Sequence, residues 1–192
     1  GFYTGTGYRP PGDLFIPYPS QVHEVCRHLL LMQHLEIPHQ GLDLEFPLTD
    51  RDYADFEALG LSVQPGRYVC IHPGSRATWR RWPPLAFANM ADQCVELGYE
   101  TVLTGTEEEL PIVKQVARLM HSTPTIVAGK TSLGAMAVLI KHAKAILSNC
   151  TGTSHLASAL GTPGVIISMD GEPNRWRPIN KSTLLNVHWI QT

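Results

Sequence analysis

The sequence predicts an α/β fold built on one doubly wound parallel sheet. Two observations predict it. From Gly66 onward, short apolar runs alternate with longer amphipathic stretches, and each amphipathic stretch is long enough to be a crossover helix. Strands separated by such helices pair in parallel, and the sheet they form is covered on both faces by the helices.

The elements follow in chain order. Residues 1–19 are rich in Gly, Pro and Tyr without a sustained period, and read as an irregular segment. From Ser20 the apolar residues Val22, Val25, Leu29 and Leu30 recur at helical spacing, which predicts a helix over 20–35 capped by Ser20 and stopped before Pro38. Loops at 41–47 and 61–66 flank a short helix over 50–59, with Thr49 or Asp50 as its N-cap. The alternating region then gives strands at 68–72, 100–104, 125–127, 145–148 and 164–168. Between them lie helices at 84–97, closed by Gly98, and at 107–120, 132–142 and 153–160. The tail from Glu172 is mixed, apart from a strand at 184–187.

Composition narrows the function. The chain has 192 residues, 43% hydrophobic and 17% charged, with a net charge of -2, a balance that suits one ordinary globular core and argues against nucleic acid as a partner. No apolar run approaches the roughly 20 residues needed to span a bilayer, so the expected location is cytoplasmic, with at most peripheral membrane contact. The four cysteines, Cys26, Cys70, Cys94 and Cys150, lie far apart, and the nine histidines are scattered, so neither a disulfide framework nor a metal site is expected.

In an open α/β sheet the ligand lies beyond the carboxyl ends of the strands, where the next helices present free N–H groups and partial positive charge. Three loops there carry chemistry. His72-Pro73-Gly74-Ser75-Arg76 followed by Trp79-Arg80-Arg81-Trp82 offers a hydroxyl and three guanidinium forks suited to phosphate, or else a solvated surface turn. Ser148-Asn149-Cys150-Thr151-Gly152-Thr153-Ser154-His155 leads a strand end directly into a helix, and Thr151, Gly152 and Thr153 suit a diphosphate, although capping alone would explain the hydroxyls. Thr104-Gly105-Thr106-Glu107-Glu108-Glu109 could supply a carboxylate to ribose hydroxyls, or only balance a helix dipole. A glycine-rich run ending in Lys-Ser or Lys-Thr is absent, as is the three-glycine dinucleotide fingerprint.

These motifs, in order, resemble glycosyltransferase family 9, whose best known members are the ADP-heptose:lipopolysaccharide heptosyltransferases. The resemblance runs from about Pro19 to about Pro178. It rests on His72-Pro73-Gly74-Ser75, Arg81-Trp82-Pro83, Leu103-Thr104-Gly105 with Glu108, Gly129-Lys130-Thr131-Ser132-Leu133, and Thr151-Gly152-Thr153-Ser154-His155-Leu156-Ala157 with Ala159-Leu160-Gly161-Thr162-Pro163. It implies the C-terminal half of a GT-B fold, in which a Rossmann-like domain over 61–192 binds the sugar nucleotide. Residues 1–60 would then be an interdomain segment left from the N-terminal side, and the acceptor site and general base would belong to an N-terminal domain absent from this chain.

Carried over by position, Ser75, Arg76 and Arg80 contact phosphates, Glu108 the ribose, Thr131 and Leu133 the base region, and Thr151, Gly152, Thr153 and His155 the diphosphate and sugar. The resemblance further implies an inverting transfer that needs neither metal nor cofactor, an ADP-heptose-like donor, a glycan or glycolipid acceptor, and work at the inner face of the bacterial inner membrane. Two positions depart from the family pattern: Arg80 stands where a lysine is usual, and Cys150 where an aspartate is usual. The second departure keeps two alternatives open, a GT-B scaffold module without transferase activity and a sugar-nucleotide epimerase of the same architecture.

Overall fold

A computed structural model describes residues 1–5, 7–9, 11–169 and 172–179, together with the backbone of 184–188. The N-terminal stretch expected to be irregular contains a short parallel pairing between β1 (Phe2–Tyr3) and β2 (Ile16–Pro17). Two residues per strand are too few for any period to show in sequence. Aromatic packing holds the pair, with Phe2 edge-on to Tyr18 at 5.9 Å and the Arg27 guanidinium 4.5 Å above the Tyr18 ring.

Helix α1 (Glu24–His34) starts later than Ser20 predicted. Its N-cap is His23, whose Nδ1 accepts the Val25 N–H at 3.2 Å while Nε2 donates to the Arg177 carbonyl at 2.6 Å. The cap therefore depends on a partner from the far end of the chain, which local sequence does not reveal. Helix α2 (Asp50–Glu57) starts as expected: the Asp52 carboxylate reaches back to both the N–H and the hydroxyl of Thr49, each at 2.8 Å.

The remaining elements are β3 (Tyr68–His72), α3 (Pro84–Glu96), β4 (Glu100–Leu103), α4 (Leu110–Leu119), β5 (Thr125–Ile126), α5 (Leu133–His142), β6 (Ala145–Asn149), α6 (Gly152–Leu160), β7 (Gly164–Ser168), α7 (Pro173–Trp176) and β8 (Leu184–His188), and all but α7 follow the predicted alternation. Helix α4 begins at Leu110 rather than 107 because Pro111 tolerates only the first turn; an earlier start would drive its ring into the carbonyl of residue 107. The four-residue α7 lies in the stretch too mixed to assign from sequence.

The six strands β3 to β8 form one all-parallel sheet in the order β5-β4-β3-β6-β7-β8. Successive side chains of each strand enter opposite cores. Tyr68, Cys70, Val102, Ile146 and Ile166 pack with Leu139 and Ile140 of α5 and Leu156 and Ala157 of α6. Val69, Ile71, Leu103, Leu147 and Ile167 pack with Phe87, Ala88 and Ala91 of α3 and Val113 and Val116 of α4. Burial on both faces explains why the strands read as continuous apolar runs. Helix α2 adds to the first layer: Phe56 packs edge-on to His142 at 6.0 Å, and Phe46, Leu48, Leu61 and Val63 pack against the same core.

At the opposite end of the sheet from those carboxyl ends, Asp92 on α3 gathers the turn after α4. Its carboxylate accepts from the N–H and ring of His121 and from the N–H and hydroxyl of Ser122, at 2.6 to 3.0 Å. Burial alone would raise its pKa, but these hydrogen bonds outweigh burial and hold it below the ordinary value. A depressed folded-state pKa contributes stability that is complete above the unfolded value near 3.8 and is lost as pH falls below it. Asp92→Asn should therefore cost about 1–2 kcal/mol in urea unfolding at pH 7, and the gap from wild type should narrow below pH 4. An equal gap at pH 3 and pH 7 would contradict this.

Candidate functional site

The strand order reverses between β3 and β6, so the segments leaving these two strands diverge and open a crevice beyond their carboxyl ends. Asn149, the last residue of β6, is fully buried there. Its Oδ1 accepts the Trp82 N–H at 2.9 Å, and its Nδ2 donates to the carbonyls of Pro73 and Gly74 at 2.9 and 3.1 Å. One amide thus ties the loop after β3 and the start of α3 to the end of β6. The sequence places Asn149 in the strand-end loop without assigning it a role; a polar residue ending an apolar strand at this edge is the signal for one.

Helices α3, α4, α5 and α6 open on this edge and differ in what their N-termini offer. Helix α3 opens on Pro83 and Pro84, which have no N–H to give. Helix α4 is preceded by Glu107, Glu108 and Glu109. The first turn of α5 lies against Asp52 and Asp55 of α2: Asp55 accepts the Ser132 hydroxyl at 3.0 Å, and Asp52 abuts Gly134. Helix α6 has no acidic residue in its first turn, and its N-cap Thr151 makes no capping bond with its side chain. A Cβ built on Gly152 would meet nothing within 4 Å, so packing does not require this glycine. It leaves the helix N-terminus open toward the crevice.

Two cavities flank that N-terminus. One of about 350 Å³ is lined by Arg80, Cys150, Thr151, Gly152, His155 and Trp176, with Ser168 and Glu172 completing it. Burial first, and then the nearby His23 ring, lowers the pKa of His155, which favours the neutral ring at pH 7. The second cavity, about 360 Å³, lies toward β4 and β5, with His72, Gly105, Glu107, Gly129, Leu133 and Met136 in its wall beside Thr131, Ser132 and Thr153. Thr153 belongs to the same helical turn as Thr151 and Gly152, so α6 borders both spaces.

The structure therefore gathers Arg80, Thr151, Gly152 and His155 at one cavity and Thr131, Leu133 and Thr153 at the other. Three predicted residues sit elsewhere. Ser75 is buried, with its carbonyl held by Arg81 Nε at 2.9 Å, and Arg76 is exposed outside both linings. Glu108 is exposed, and its carboxylate is held below the ordinary pKa by its own backbone N–H and by Thr106. Its two neighbours make the contacts at the site. Glu107 lines the second cavity, and Glu109 accepts the Thr106 N–H at 2.9 Å and stands 3.5 Å from His72 Nε2. The other nitrogen of His72, Nδ1, lies 3.0 Å from the Thr104 hydroxyl, and burial, partly offset by Glu109, lowers the ring's pKa. Three consecutive glutamates look alike in sequence; only the turn decides which one faces the ligand side.

Among the described residues, no three His, Cys, Asp or Glu side chains come together as metal ligands, and no helix is long and apolar enough to cross a membrane.

Comparison with known proteins agrees with this architecture. The chain is 32% identical over 116 residues to lipopolysaccharide heptosyltransferase 3 of Escherichia coli, a match covering 58% of this chain and 34% of that protein. It is 25% identical over 170 residues to the lipopolysaccharide core heptosyltransferase OpsX of Haemophilus influenzae, covering 84% of this chain and 47% of that protein. The chain thus spans between a third and a half of these curated relatives.

Among solved structures, the fold matches a family 9 glycosyltransferase from Veillonella parvula with a TM-score of 0.79 at 21% identity, over 91% of this chain and 51% of that one. It also matches the Escherichia coli heptosyltransferase WaaC with ADP, with a TM-score of 0.65 at 22% identity, over 90% of this chain and 53% of that one. These GT-B neighbours share the doubly wound parallel sheet. The profile of glycosyltransferase family 9 (heptosyltransferase) matches residues 16–191, and the chain belongs to that family.

Proposed function

We propose that this domain is the donor half of an inverting, metal-independent glycosyltransferase that transfers a heptose-like sugar from a nucleoside diphosphate in lipopolysaccharide or related glycan synthesis. The observation that carries the reading is the N-terminus of α6, which has no acidic residue in its own first turn and borders the cavity that Arg80 also lines. Backbone N–H groups at the helix start, the helix dipole and a guanidinium together suit a diphosphate.

In this reading the diphosphate sits at 151–153 and the sugar extends into the cavity with His155 and Trp176. The nucleoside occupies the cavity lined by Thr131 and Leu133, where Glu107 faces the ribose in place of Glu108. As the glycosidic bond breaks, negative charge grows on the departing diphosphate, and Arg80 with the α6 N-terminus would stabilise it without a metal ion. The relative WaaC, solved with ADP, supports the choice of nucleotide. Residues 1–60 form the interdomain segment, while acceptor and general base belong to an N-terminal domain, at the cytoplasmic face of the inner membrane.

The test is calorimetric titration of the intact protein with ADP, UDP and GDP, with and without a chelator. At least one should bind, equally in both conditions, and Arg80→Ala should weaken that binding about tenfold or more. If none binds at millimolar concentration, the reading fails.

A further inference from the structure

We propose that Asp55 on α2 is a positioning residue for the nucleoside end of the donor, a role that rests on reading the 131–133 cavity as the nucleoside seat. The wall of that cavity is the N-terminal turn of α5. Ser132 is its N-cap, and its hydroxyl accepts the Ala135 N–H at 3.1 Å. A hydroxyl has one proton, and this one goes to Asp55 Oδ2 at 3.0 Å. Donation to the carboxylate turns the oxygen lone pairs toward Ala135, so Asp55 sets the rotamer on which the cap depends.

A second contact fixes the distance between the two helices. A Cβ on Gly134 would run into the Asp52 carboxylate, so α2 rests directly on the first turn of α5. The far end is held as well, by Lys141 Nζ donating to Tyr53 at 2.9 Å and by Phe56 against His142. Helix α2 therefore braces α5 at both ends, and the brace meets the sheet domain where Thr131, Ser132 and Leu133 line the cavity.

The same two carboxylates have an electrostatic effect. They occupy the positive end of α5 and make it a poor seat for phosphate, while Leu133 and Met136 give the cavity an apolar wall. A neutral ribose and base are suited to it. Asp55 thus acts on the nucleoside half of the ligand, whereas the diphosphate half depends on α6.

That division gives the test. In the intact protein, Asp55→Ala and Asp55→Asn are titrated calorimetrically with the nucleoside diphosphate that wild type binds, and with inorganic pyrophosphate in competition. Thermal melting checks that each variant is folded. Asp55→Ala should weaken nucleoside diphosphate binding about three- to tenfold while the pyrophosphate affinity stays within a factor of about two. Ser132→Ala should reproduce the loss, and the double variant should add little, because the two residues share one bond.

Unchanged nucleotide affinity in both Asp55 variants, with normal wild-type binding, would overturn the role of Asp55 and leave the donor site standing. Equal loss for nucleotide and pyrophosphate would also overturn it, since that is the mark of general loosening. A wild type that binds no nucleoside diphosphate would overturn the donor site and this role together.

Discussion

Replacing Asn149 by alanine is expected to lower the unfolding free energy by about 3 kcal/mol and to abolish nucleoside diphosphate binding. The side chain is fully buried and answers three backbone groups at once, the N–H of Trp82 and the carbonyls of Pro73 and Gly74. Truncation leaves all three without this partner at a site closed to water, and an orphaned buried polar group costs about 1–3 kcal/mol. Aspartate is not a remedy. It keeps the acceptor for Trp82 but turns a charged oxygen toward two carbonyls, so Asn149→Asp should be at least as damaging. Urea unfolding at pH 7 measures the first effect and calorimetry the second. A loss below about 1 kcal/mol would show that the two loops are held by something other than this amide.

The other large effect lies one strand away. Gly164 opens β7 opposite Ile146 of β6, and a Cβ there would run into the Ile146 carbonyl oxygen and come within 2.6 Å of its Cγ2. Backbone cannot move aside as a flexible side chain can, so Gly164→Ala must push β6 and β7 apart, although both lie in the core. The expected cost is about 3 kcal/mol, at the upper end for overpacking, which lowers Tm by about 10 °C for a domain of this size. The m-value should not change, because the denatured chain exposes the same surface. A Tm within about 2 °C of wild type would mean that the ladder between β6 and β7 adjusts more easily than its geometry indicates.

The regions of this fold that were legible in the sequence are those whose causes are local. The strands β3, β6 and β7 are apolar runs because both faces are covered, and α2, α3 and α5 announce themselves through Thr49, Pro84 and Ser132 at their starts. What escaped was set by contacts distant in sequence. Ser20 looks like a cap, but His23 serves because Arg177 supplies a carbonyl for its second nitrogen, 154 residues along the chain. The pairing of β1 with β2 and the short α7 are too brief to leave a period.

The candidate site follows the same rule. The loop at 151–155 was recognisable because its glycine and hydroxyls lie together in sequence before a helix. Glu107, Glu109 and Asn149 were not singled out, because their roles depend on which way a turn faces and on loops 67 to 76 residues away. Nor does anything local show that Asp52 and Asp55 meet the first turn of α5.

That meeting of α2 with α5 has a consequence for how a ligand must enter. Of two neighbouring helix ends that face the crevice, one is covered by carboxylates and the other has no acidic residue in its own first turn. Bound as proposed, a molecule with an anionic middle and an uncharged head would lie across such a pair in one sense, its phosphates at α6. Reversing it would set its phosphates against aspartates, so the dipole pattern of the edge acts as a keyway that fixes which end of the guest leads.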